Sequence, residues 1–148
     1  MDDERDKVII GCDHAGFQLK EIVREYLVIL GFDVEDFGTH SEDSVDYPDF
    51  GMQVAKMVST GKYNRGILIC GTGMGMSMVA NRFASVRAAL CNDLFSAIMS
   101  RRHNDANILV MGGRVVGMEL AKEIVRYWFD TPFDGGRHRM RLEKFDRI

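Results

Sequence analysis

A chain of 148 residues has the length of one domain, and a domain of that length buries roughly 68–70% of its unfolded surface, enough for one solid core. A net charge of −3 lacks the excess of lysine and arginine that nucleic-acid backbones require, and no apolar run reaches the roughly 18 residues of a membrane-spanning helix. Three cysteines, Cys12, Cys70 and Cys91, are too few for a secreted disulfide framework and form no Cys-x-x-Cys pair, which points to a reducing, cytoplasmic setting without structural zinc.

Residues 1–7 are acidic and polar, unlike a secretory signal, and read as a disordered leader. Val8 to Cys12 is a short apolar run, and Phe17, Leu19, Ile22, Val23, Tyr26, Leu27 and Leu30 then recur at near-helical spacing until Gly31 stops the helix. Phe32 to Phe37 alternates apolar with acidic residues, as an edge-type strand does. Tyr47-Pro48 opens a helix that carries Val54, Ala55 and Val58 inward before Gly61 ends it.

Gly66 to Cys70 is continuously apolar, the pattern of a strand covered on both faces. The glycine-rich Gly71-Thr72-Gly73-Met74-Gly75 follows at once, leading to a helix through Met78 to Phe83. Val86 to Cys91 and Asn107 to Met111 repeat the buried-strand pattern, each followed by a helical stretch, Leu94 to Arg101 and Met118 to Phe129. Beyond Thr131-Pro132 the chain turns polar, passes Gly135-Gly136 and ends in a short arm suited to docking. Five strands alternating with helices imply a single Rossmann-like α/β domain over residues 8–148: a five-stranded parallel sheet with helices on both faces and a C-terminal docking helix. Its ligand site should lie beyond the carboxyl ends of the strands.

The chemistry concentrates where the strand ending at Cys70 meets the glycine loop. A helix N-terminus stabilises negative charge on a nearby thiol, so Cys70 is either a small core residue or an activated base. Gly71, Gly73 and Gly75 let the backbone approach a ligand and offer a nest of N–H donors for a phosphate or an oxyanion. The spacing fits neither a dinucleotide-binding fingerprint nor a Walker A loop. Asp13-His14 ends the first strand and can orient a sugar hydroxyl or cap the following helix. His103-Asn104-Asp105 precedes the fifth strand and reads as a turn or a binding cluster. If both pairs lie on the sheet's carboxyl rim, two imidazoles flank the thiol as an acid-base constellation. His40 is read as surface. Arg114 follows Gly112-Gly113, while Arg137 and Arg141 share one face of the tail helix, as a dianion clamp, a solvated basic face or a salt-bridged interface.

The strings GCDHAGF from Gly11, ICGTGMGMSMVANRFASVRAA from Ile69, RRHNDANILVMGGRVVG from Arg101 and FDGGRHRMR in the tail, with FGTHSEDSVDYPDF between the first two, resemble the type B ribose-5-phosphate isomerase family. That family includes galactose-6-phosphate isomerase subunits and enzymes acting on allose 6-phosphate. The resemblance runs from Val8 to Arg141 and implies an aldose-ketose isomerase of ribose 5-phosphate and ribulose 5-phosphate. It casts Cys70 as the general base, Thr72 as an aid to proton movement at the substrate oxygens, and His103 as the ring-opening group with Asp13 and His14 nearby. By the same resemblance the amides of Gly71, Gly73, Met74 and Gly75 hold the enediolate, Tyr47 and Asn104 contact the sugar, and Arg114, Arg137 and Arg141 bind the phosphate. The reaction calls for no metal and no cofactor. Relatives form dimers or tetramers whose sites draw on two subunits, so a homodimer or homotetramer is implied, with a small sugar phosphate as the partner molecule. The alternatives are a hexose-6-phosphate isomerase and a non-catalytic sugar-phosphate-binding subunit. Val79, Arg82 and Arg139 depart from the family's usual pattern and bear on substrate size rather than on the reaction.

Overall fold

The computed structural model describes residues 6–148. The leader expected over residues 1–7 therefore lies outside the described residues up to residue 5, and Lys7 is already the first residue of a strand.

The strands are β1 (Lys7–Cys12), β2 (Asp33–Asp36), β3 (Arg65–Cys70), β4 (Ala88–Leu90) and β5 (Ile108–Gly112). The helices are α1 (Phe17–Ile29), α2 (Tyr47–Ser59), α3 (Met74–Ala80), α4 (Leu94–Arg102), α5 (Met118–Asp130) and α6 (Arg137–Asp146). All strand pairings are parallel, in the order β2-β1-β3-β5-β4. A parallel sheet of this kind needs both faces covered, and the period-2 alternation of side chains supplies two apolar surfaces. Val8, Ile10, Cys12, Ile67, Ile69, Leu109 and Met111 face one way and pack with α1, α4 and α5 around the fully buried Trp128. Ile9, Leu68, Cys70, Ile108 and Val110 face the other way, against Val54, Ala55 and Val58 of α2 and Met76 and Ala80 of α3. Cys70 thus shares a face with α3, the helix that follows its own strand. No helix among the described residues is long and apolar enough to cross a membrane.

The expected strand over Val86 to Cys91 is reduced to three half-buried residues. Side-chain hydrogen bonds replace the ladder before it: the Arg87 N–H donates to Asn107 Oδ1 at 2.8 Å, and Asn107 Nδ2 donates to the Ser85 carbonyl at 2.8 Å. The helix expected through Met78 to Phe83 starts earlier and ends at Ala80, where the Asn81 amide turns back to bond the Ser77 and Ala88 carbonyls, both at 3.0 Å. The tail forms a helix that buries only Leu142 of its own residues. Two ion pairs, Arg87–Asp146 and Arg102–Asp134, each at 3.1 Å, tie it and its approach to the body.

Candidate active site

Parallel register brings Cys12, Cys70 and Gly112 to the carboxyl rim side by side, since Cys12 pairs with Ile69 and Cys70 with Gly112. Cys70 is 5% exposed, and its Sγ accepts a hydrogen bond from the Gly73 N–H at 3.2 Å. That bond requires Gly73 in the left-handed region, at φ 85°. Thr72 Oγ1 accepts from the Met74 N–H at 3.2 Å, and α3 starts there with the Met74 side chain exposed. Cys12 Sγ instead donates to the Thr39 carbonyl at 3.7 Å, and Cys91 meets the Ser100 hydroxyl, but burial outweighs both contacts. Burial pushes Cys12 up to about 12 and Cys91 up to about 11, so both are inert neutral thiols at physiological pH.

Four neighbouring segments converge on the loop. Asp13 is buried and its Oδ1 accepts from the Gly16 N–H at 3.0 Å, capping a single turn of 3-10 helix; the capping role holds for one carboxylate oxygen. His14 follows, half-buried, its Nδ1 accepting from the Val45 N–H at 3.2 Å. That bond ties the long β2–α2 connection to the rim and leaves Nε2 as the ring's other polar atom. Tyr47, the first residue of α2, lays its ring over Gly75 so closely that a Cβ there would sit 2.6 Å from Cζ. Arg114 reaches over Gly71, its Cδ and a guanidinium nitrogen 3.7 Å from where a Gly71 Cβ would be, and its N–H donates to the Gly71 carbonyl at 3.0 Å.

One residue that sequence reasoning passed over organises this end. Asn92 Nδ2 donates to the Thr72 carbonyl at 3.2 Å, while its Oδ1 accepts from the Gly112 N–H at 2.8 Å. It latches the loop to the end of β5. The signal was its place directly after a strand, at the rim where ligand residues gather.

His103 and Asn104 lie elsewhere. Helix α4 runs antiparallel to the strands, so its C-cap, His103, arrives at the amino edge of the sheet just ahead of β5. A six-residue strand at about 3.3 Å per residue separates that edge from Cys70 by roughly 17 Å. The expectation that both histidine pairs share the carboxyl rim therefore fails within one chain. At the amino edge His103 stacks on His138 of α6, ring centroids 4.4 Å apart and planes 11° from parallel. His138 is held below the usual histidine value by lost hydration first, then by repulsion from His103, Arg137 and Arg141. Arg137 and Arg141, four apart on α6, are exposed beside this pair. A cleft of about 640 Å³ lies on the same side, lined by Arg82, Phe83, Arg87, Asn104, Phe145 and Asp146 and remote from Cys70.

The carboxyl rim thus offers a thiol, a nest of amides, a half-buried imidazole, a phenol and one arginine. The amino edge offers an imidazole pair and two arginines. The first set suits proton transfer beside an oxyanion, and the second suits a phosphate.

Comparison with known proteins agrees with this chemistry. Residues 8–145 match the family described as Ribose/Galactose Isomerase. The chain is 49% identical over 142 residues to ribose-5-phosphate isomerase B of Escherichia coli, covering 96% of this chain and 95% of that one. It is 41% identical over 138 residues to D-erythrulose-4-phosphate isomerase of Pectobacterium atrosepticum, covering 93% and 91%. The structure of Clostridium thermocellum ribose-5-phosphate isomerase B superposes with a TM-score of 0.94 at 51% identity, covering 96% of each chain. With the family's pattern matched from the first strand into the tail helix, this chain belongs to the ribose/galactose isomerase family.

Proposed function

We propose that this protein interconverts ribose 5-phosphate and ribulose 5-phosphate through an enediolate, with Cys70 as the base. The observation that carries the reading is the Cys70 thiol held by the Gly73 N–H at the mouth of the glycine loop, on a chain so similar to ribose-5-phosphate isomerases.

In the open-chain aldose the Cys70 thiolate removes the C2 hydrogen as a proton. The electron pair moves into a C1–C2 double bond, and the carbonyl oxygen becomes an enediolate oxygen. The amides of Gly71 to Gly75 stabilise that charge, and Thr72 moves a proton between the two oxygens. Return of the proton to C1 gives the ketose. Asp13, His14 and Tyr47 orient the sugar, and Arg114 receives the phosphate.

Ring opening and the remaining phosphate contacts fall to His103, Asn104, Arg137 and Arg141, which one chain holds on the wrong edge. A second copy of the chain, its amino edge placed against this rim, supplies them. The tail supports that arrangement, because Met140 and Phe145 remain 66% and 45% exposed on a helix that buries little in its own chain. The working unit is accordingly a homodimer, or a tetramer built from such dimers. Three unpaired cysteines suit a reducing cytoplasm.

The test is the absorbance-followed conversion of ribose 5-phosphate by purified protein, with Cys70→Ala alongside. Turnover that disappears in the variant supports reaction and base together, and undiminished turnover in Cys70→Ala contradicts the base. The likeness to D-erythrulose-4-phosphate isomerase favours one second reading, a preference for another phosphosugar handled by the same atoms. Comparing kcat/KM across tetrose, pentose and hexose phosphates separates the two.

A further inference from the structure

Beside the His103 imidazole, the amino-edge cluster holds two metal-ligating side chains, Asp134 and His138, to which the proposed reaction gives no role. One donor atom each from His103, Asp134 and His138 lie within 4.8 Å of one another. We propose that these three side chains form a site for a zinc-type dication, and that its occupancy blocks isomerisation by removing the His103 imidazole from the reaction. The blocking half rests on the assignment of His103 to ring opening.

The donor set is two imidazoles and a carboxylate, which zinc accepts with a fourth position left for water or a phosphate oxygen. Zinc bonds of about 2.0–2.2 Å place neighbouring donors roughly 3.4 Å apart, so a closure of at most about 1.4 Å, with a turn of one imidazole, completes the triangle. The backbone already holds the three in place. The Asp134 N–H donates to the Arg102 carbonyl at 3.0 Å, next to His103, and the His138 N–H donates to the Gly135 carbonyl at 3.1 Å. The two rings are stacked, 4.4 Å apart and 11° from parallel, so one must turn to bring both nitrogen lone pairs onto one ion; because they belong to α6 and to the cap of α4, a shared metal then fastens the tail to α4.

Opposing charge sets the strength. Arg102 pairs with Asp134 at 3.1 Å, and Arg137 and Arg141 stand close by. A carboxylate has lone pairs enough for both a guanidinium and a metal, but three cations weaken attraction for a dication. The site therefore responds to added metal rather than retaining it through purification. A metal here regulates, since the enediolate chemistry runs on the thiol and amides of the other edge.

The test is zinc binding to the full chain in a Cys70→Ala background, which removes the competing thiol, by competition with a chromogenic chelator. The expected result is one zinc per chain, with affinity falling at least about tenfold in His138→Ala, the cost already of losing an outer-shell partner. Circular dichroism checks the fold, and Asp134→Asn replaces His138→Ala if that variant is misfolded. No stoichiometric binding, or equal affinity after the substitution, overturns the site. In the otherwise unaltered enzyme, zinc should stop turnover, a chelator should restore it, and Asp134→Asn should shift the binding and inhibition midpoints together. Inhibition that stays put while binding shifts overturns the blocking role. Lack of turnover before zinc is added refutes the isomerase reading and the blocking role with it, while the binding comparison still decides the site.

Discussion

Replacing Gly73 with alanine probes the loop at the point where backbone conformation and packing both exclude a side chain. Gly73 sits at φ 85°, ψ −16°, and an L-residue in the left-handed region costs about 1–2 kcal/mol. A Cβ there collides with Leu90 Cδ1 and stands 3.1 and 3.2 Å from the Met111 carbonyl carbon and oxygen. The leucine tip can rotate away. The Met111 backbone cannot, because β5 is bonded on both sides, to β3 and β4. Overpacking of this kind adds about 1–3 kcal/mol, giving a total of about 2–5 kcal/mol. Gly61 supplies the control: its φ is 78° and nothing lies within 4 Å of its Cβ position, so Gly61→Ala carries the conformational cost alone. Urea unfolding of the two variants should differ by about 1–3 kcal/mol. Moving the Gly73 N–H off Cys70 Sγ should also lower kcat/KM at least about tenfold, equivalent to about 1.4 kcal/mol, while Gly61→Ala retains parental kinetics. Equal unfolding free energies would refute the packing argument, and parental kcat/KM in Gly73→Ala would refute the role of the bond.

Asn92→Ala cuts the latch between loop and β5 and strands the Gly112 N–H, so stability should fall by about 1–3 kcal/mol, with kcat reduced more than KM is raised, measurable by denaturation and steady-state kinetics. Alkali should destabilise the fold through Cys12 and Cys91. Unfolded thiols ionise near pH 9, whereas burial keeps these protonated to about 12 and about 11; the unfolded state then binds fewer protons, and stability falls as pH rises above 9. Cys91 alone accounts for roughly 2–3 kcal/mol by pH 11, so Cys91→Ala should flatten the decline in unfolding free energy between pH 9 and 11.

The carboxyl rim was legible because its signals are local. The apolar run into Cys70, the glycines after it and the aspartate-histidine pair after β1 each announce a strand end, and strand ends in a parallel sheet share one rim. Asn92 was hidden, since nothing in its flanking residues reveals that it will bond both Thr72 and Gly112. The shortening of β4 was hidden for a similar reason: Asn107, twenty positions from Arg87, takes over the ladder's hydrogen bonds. His103 is different. A residue just ahead of a parallel strand must lie at the amino edge, so topology alone separates it from Cys70, and grouping the two histidine pairs on one rim ran against that rule. The same topology turns the separation into an argument for two copies.

If one working site joins the carboxyl rim of one chain to the amino edge of another, mixing two inactive variants rebuilds it. Cys70→Ala and His103→Ala should each be inactive alone, whereas refolding them together in equal amounts forms hybrids with one intact site. Random pairing in a two-fold assembly restores about a quarter of the parental activity. Recovery to that level is the predicted result, and a mixture as inactive as its separate components would contradict the account.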